Sequence, residues 1–132
     1  MLERRSFIGG TAAPWLTSAA SAGKFGKGNA MYGLIGSITA ATGKGEELGA
    51  YLLEGLRDMP GNIVYIVGRD PANADKLWIT EVWDNAESHR NSLKLPQVQA
   101  AIAKARPIIA AMGDRQEFLP FGGVGLTGGE MK

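Results

Sequence analysis

The chain has 132 residues, enough for one domain, and 45% of them are apolar, enough for a real core. Basic and acidic residues nearly balance, 14 against 13, without clustered Lys and Arg, so no nucleic-acid groove is expected. There is no cysteine and one histidine, His89, which excludes disulfides, zinc–thiolate sites, thiol catalysis and a multi-histidine metal site within one subunit.

The first residues carry a twin arginine, Arg4-Arg5, followed by Ser6-Phe7-Ile8. A mildly apolar, uncharged stretch runs from Phe7 to Ala22 and ends in Ala20-Ser21-Ala22, an A-x-A-like cleavage site. This order of charged, apolar and small residues resembles a twin-arginine export signal over 1–22. It predicts a periplasmic or otherwise exported protein without a stable membrane anchor, and a cytoplasmic one if the stretch is only a tail. Cleavage there removes two Arg and one Glu, leaving 12 basic against 12 acidic residues. Residues 23–30 read as a linker. Gly-Lys-Gly occurs at 26–28 and again at 43–45, but neither copy has phosphate-loop spacing, so both read as turns.

The domain is expected over 31–125, with a flexible tail at 126–132. Met31 to Ala41 is rich in strand formers and stops at Thr42-Gly43. From Glu46 to Met59 the period changes: Leu48, Tyr51, Leu52, Leu56 and Met59 recur at three and four, which predicts an amphipathic helix ended by Pro60-Gly61. Asn62–Arg69 and Lys76–Trp83 read as a hairpin around the 70–75 turn. Asp84 with Glu87 reads as a capping box for the next helix, which Pro96 breaks. A second helical piece presents Val98, Ala101, Ile102 and Ala105, and Pro107 kinks or ends it. Arg115 to Val124 is expected to be the last strand.

This order, β-α-β-β-α-β, predicts an α+β ferredoxin-like fold with helices on one face of an antiparallel sheet. The other face should then be polar, yet strand two is apolar on both sides: Ile63, Tyr65 and Val67 against Val64 and Ile66. Strand three sets Trp78 and Val82 against Leu77, Ile79 and Trp83. A second copy of the sheet is the simplest cover, so a homodimer is expected.

Candidate chemistry concentrates on strand three and the helix after it. Period two places Glu81 and Trp83 on one face, and His89 lies two turns into the helix, able to point back at the strand end. A carboxylate beside Trp on a buried strand needs a hydrogen bond or a function. Each residue also has a plainer role: Trp as packing, His89 as a core-edge residue, Glu81 paired with Arg69 or Arg115.

The segment Glu81-Val82-Trp83-Asp84-Asn85-Ala86-Glu87-Ser88-His89 resembles the E-x-W-x-(four or five residues)-H segment of antibiotic biosynthesis monooxygenase domains. The Gly-Lys-Gly turn, Pro60-Gly61 and Leu95-Pro96 are similar too, and the resemblance covers about 31–122. It implies a dimeric α/β barrel and oxidation of a quinol or polyphenol by dioxygen, often without flavin, metal or haem. His89 would be base or proton relay, Trp83 would wall the ring and Glu81 would orient a neighbour. Tyr65, Phe118 and Ser37 would contact substrate. No metal or cofactor is expected. The alternatives on this scaffold are a non-catalytic small-molecule-binding dimer and a haem-degrading enzyme. The haem branch uses an Asn on strand one, and strand one here offers Ser37 instead.

Overall fold

The computed structural model describes residues 30–126. The expected export signal, all of the linker but Ala30 and all of the tail but Leu126 lie outside the described residues. The elements are β1 (Tyr32–Ala40), α1 (Gly45–Glu54), β2 (Asn62–Arg69), β3 (Lys76–Trp83), α2 (Ala86–Ser92), α3 (Pro96–Ala105), a 3-10 turn (Arg106–Ile108) and β4 (Ile109–Phe118). The four strands form one antiparallel sheet in the order β2-β3-β1-β4, the ferredoxin-like α+β arrangement that the element order predicts.

Register assigns each strand residue to a face. Tyr32, Leu34 and Ile38 of β1 stand beside Trp83, Glu81 and Leu77 of β3, and all six are buried under the helices. Leu48 and Leu52 bring α1 onto this layer; their burial contributes about 1.5–3 kcal/mol each. On the opposite face Ile35, Trp78 and Ile66 remain 38%, 41% and 57% exposed. The two-sided apolar pattern of the strands therefore leaves one apolar sheet face uncovered within the protomer.

α1 has no side-chain cap of its own. Asp75, at the entrance to β3, substitutes: its carboxylate accepts from the N–H groups of Gly43 (3.0 Å) and Gly45 (2.9 Å). One carboxylate thus ties the β2–β3 hairpin to the start of α1 and satisfies donors a helix N-terminus leaves open.

Three element readings need correction. α1 ends at Glu54 rather than Met59, because Gly55 follows and Asp58 adopts a positive φ of 48°; Met59 still packs on the core, from the loop. The cap of α2 is Asn85, not Asp84: Asn85 is extended and its side chain accepts from the Ser88 N–H at 2.8 Å. Asp84 instead donates its backbone N–H to the Gly61 carbonyl at 2.8 Å. β4 runs from Ile109 to Phe118, not from Arg115 to Val124. Gly113 and Asp114 look like a turn in the sequence, but they fall at the register shift between Gly36–Arg115 and Ile38–Met112, where a bulge absorbs them. Pro120, lacking an N–H, prevents the strand from continuing.

Candidate functional site

The end of β3 lies beneath α2 and carries two of the candidate side chains. Glu81 and Trp83 both face the helices, and α2 lays His89 over them; all three are buried. The Trp83 indole Nε1 donates to Glu81 Oε1 at 2.9 Å. His89 Nε2 stands 3.8 Å from the same oxygen. The imidazole meets the Trp83 indole edge-on, with ring centroids 5.5 Å apart, and leans on the Tyr32 ring at 5.4 Å. His89 Nδ1 is buried without a hydrogen-bond partner.

Glu81, Trp83 and His89 form one wall of a small pocket between the sheet and the helices that is partly open to solvent. Leu52, Leu56 and Met59 line it from α1 and the following loop, Tyr65 from β2, and Val98, Ala101 and Ile102 from α3. Tyr65 stands beside Glu81 in the sheet register. The result is a small cavity with mostly apolar walls and few polar groups.

Burial controls the charges. Removal from water pushes the Glu81 carboxyl up to about 7, against the opposing pull of the Trp83 hydrogen bond and the Arg115 cation. Burial pushes His89 down to about 4, with Arg115 acting in the same direction and Glu117 opposing it. At neutral pH His89 is therefore uncharged, so its 3.8 Å approach to Glu81 is a contact and not an ion pair. Burial, with the Glu81 carboxylate beside it, holds the Tyr65 hydroxyl well above its ordinary range.

The structure brings together Glu81, Trp83, His89 and Tyr65, all four on the pocket wall. It does not bring Phe118 and Ser37 there. Phe118 pairs with Gly33 and lies across it, where a Cβ on Gly33 would collide with the ring, on the sheet face away from the helices. Ser37 pairs with Trp78 on that same face and lies against Gly113. Neither lines the pocket, for one reason: strand parity turns these side chains to the far face.

A polar cluster lies behind the pocket, of which the sequence offered only Arg115, as a possible partner of Glu81. The Tyr32 hydroxyl donates to Glu117 Oε2 at 2.7 Å, and Arg115 Nη2 lies 3.6 Å from that oxygen. Arg115 Nε and Nη2 are buried without hydrogen-bond partners, and their charge acts on Glu81, His89 and Tyr32. Period two puts Arg115 and Glu117 on one face of β4, and their register with Gly36 and Leu34 makes that face the helix side. Among the described residues no group of three His, Cys, Asp or Glu side chains converges as metal ligands.

A family profile described as antibiotic biosynthesis monooxygenase matches residues 31–104. The chain belongs to the antibiotic biosynthesis monooxygenase family. A crystal structure from Chloroflexus aurantiacus J-10-fl, provisionally named for the same family, is 52% identical, covering 73% of this chain and 98% of that one, with a TM-score of 0.71. Structures from Deinococcus radiodurans and Caulobacter crescentus CB15, also provisionally named antibiotic biosynthesis monooxygenases, share the fold at lower identity. The first is 22% identical (70% of this chain, 95% of that one, TM-score 0.59) and the second 17% (68% and 89%, TM-score 0.62). A search of curated proteins finds no match. The family match takes in Glu81, Trp83 and His89 and ends before Arg115 and Glu117.

Proposed function

We propose that this family member is a cofactor-independent monooxygenase that oxidises a quinol or polyphenol with dioxygen. The observation supporting this reading is the placement of a buried Glu81–Trp83–His89 cluster on the wall of an otherwise apolar pocket. The substrate supplies the electrons. Neutral His89 takes the phenol proton, and Glu81, ionised above about pH 7, stabilises the imidazolium that forms. The phenolate carbon gives two electrons to dioxygen and forms a C–O bond. The peroxide then loses its O–O bond and the ring C–H proton: one oxygen remains as a quinone carbonyl and the other leaves as water. Trp83 and Tyr65 wall the ring, and the apolar surround keeps the peroxide from solvent.

The active unit in this reading is a two-fold dimer in which a second copy covers Ile35, Ile66 and Trp78, the exposed apolar residues of the open sheet face. Its export follows from the twin-arginine-like leader and is tested by N-terminal sequencing of periplasmic protein. Oxygen uptake with a panel of hydroquinones, without added metal or flavin, tests the catalytic reading. Turnover is expected and should fall roughly a hundred- to ten-thousand-fold in His89→Ala. No uptake with any quinol, or unchanged uptake in the variant, would refute it.

A further inference from the structure

A catalytic base must present a nitrogen within hydrogen-bond reach of the proton it takes. The backbone of His89 is fixed in α2, where its carbonyl accepts from the Ser92 hydroxyl at 2.7 Å. Its ring is not fixed by hydrogen bonds. Nδ1 has no partner, and Nε2 stands 3.8 Å from Glu81 Oε1, beyond hydrogen-bond reach. Rotation of an imidazole about its bond to Cβ has a broad, roughly two-fold profile. A half-turn would put carbon where the nitrogens now stand. Packing must therefore choose the orientation.

Two aromatic rings surround the imidazole. Tyr32 of β1 and Trp83 of β3 are register partners, and both are fully buried. The imidazole lies tilted by 39° to the Tyr32 ring at 5.4 Å and by 69° to the indole at 5.5 Å. Each ring is itself pinned by a carboxylate. Trp83 Nε1 donates to Glu81 Oε1 at 2.9 Å, and the Tyr32 hydroxyl donates to Glu117 Oε2 at 2.7 Å. A hydroxyl-to-carboxylate bond of this length is among the strong ones. Trp83 is pinned within its own strand, whereas Tyr32 is pinned from β4, so the two pins are independent. Trp83 lines the pocket and Tyr32 does not. Tyr32 therefore touches His89 from outside the pocket.

We propose that Tyr32 is a positioning residue: pinned by Glu117 across the β1–β4 pair, its ring holds the His89 imidazole edge-on to Trp83, with Nε2 turned toward Glu81. The inference deepens the reading of His89 as the base and rests on it. It also gives the polar cluster behind the pocket a task, since Glu117 acts on the base through Tyr32. Loss of the Tyr32 ring frees the imidazole to rotate, and misplacing a reacting group by about 1 Å costs on the order of a hundredfold in rate.

His89 is the one histidine, so nuclear Overhauser contacts from its ring protons to the Trp83 indole report its orientation without turnover. These contacts should be present in the parent, lost in Tyr32→Leu and weakened in Tyr32→Phe, which keeps the ring but not its pin. Far-UV circular dichroism checks the fold, and Tyr32→Phe decides alone if Tyr32→Leu does not fold. Glu117→Leu should match Tyr32→Phe, and Glu117→Gln, which keeps an accepting oxygen, should restore the contacts that Glu117→Leu weakens. With hydroquinone, kcat should fall about ten- to a hundredfold in Tyr32→Leu while KM holds within about twofold. Contacts unchanged in Tyr32→Phe and Glu117→Leu would overturn the inference. So would an unchanged kcat in Tyr32→Leu, or a KM raised about tenfold, which places Tyr32 on the substrate instead. A parent that turns over no quinol would refute the proposed reaction, and the Overhauser contacts would still decide whether Tyr32 orients the ring.

Discussion

Replacing Glu81 by Gln removes the titrating group while leaving an oxygen that can accept from the Trp83 indole. In the folded protein this carboxyl titrates at about 7, against an ordinary value of 4.5. Between those values the folded state holds a proton that the unfolded state has released, so the group lowers stability as pH rises from about 4.5 to about 7. A displacement of that size is worth on the order of 3 kcal/mol once both states are ionised. Glu81→Gln should therefore match the parent near pH 4.5 and exceed it by on the order of 2–3 kcal/mol at pH 8. Urea unfolding followed by tryptophan fluorescence, at one protein concentration and both pH values, reads the difference. His89 is present in both proteins, so its own titration largely cancels. A stability difference that does not change with pH would refute the claim that Glu81 is held against ionisation.

Because the chain has one histidine, its imidazole C–H resonances can be followed alone in untagged protein. The midpoint should lie at about 4 and move upward in Arg115→Met, since the guanidinium lowers it. Stability carried by neutral His89 is present above its unfolded value of 6.5 and is lost as pH falls through about 4. Trp83→Phe removes the hydrogen bond that favours the Glu81 anion, so the acid limb of the turnover profile, set by Glu81 at about 7, should shift to higher pH. Asp75→Ala leaves Gly43 and Gly45 uncapped and should cost about 1–2 kcal/mol in thermal unfolding. Gly33→Ala places a methyl in the Phe118 ring and should lower the melting temperature, with rescue by Phe118→Leu.

The elements were legible in the sequence wherever a periodicity had a sharp boundary. Glycine and proline turns frame β1, β2 and β3, and their alternation already marked the sheet as apolar on both faces. The misread boundaries share a cause: local residue types were outweighed by pairing. Gly113-Asp114 resembles a turn but is a bulge held by β1, and Asp84 resembles a cap but lies one residue too early. The cluster of Glu81, Trp83 and His89 was legible because parity and helical reach both converge on one strand end. Arg115 was legible only as a possible partner of Glu81; its grouping with Tyr32 and Glu117 was not, because only the β1–β4 register brings residues so far apart in sequence into contact. Phe118 and Ser37 were placed by residue type, and parity sends both to the other face.

In the proposed reaction, the pocket beside Glu81, Trp83 and His89 inserts one atom of dioxygen into a quinol. Its most direct test is turnover of hydroquinone under ¹⁸O₂ with mass analysis of the product. The expected product is a hydroxyquinone carrying a single ¹⁸O atom, with one dioxygen consumed per product, no accumulating hydrogen peroxide, and the labelled product lost in His89→Ala. Unlabelled quinone with stoichiometric hydrogen peroxide, or labelling that persists in the variant, would contradict it.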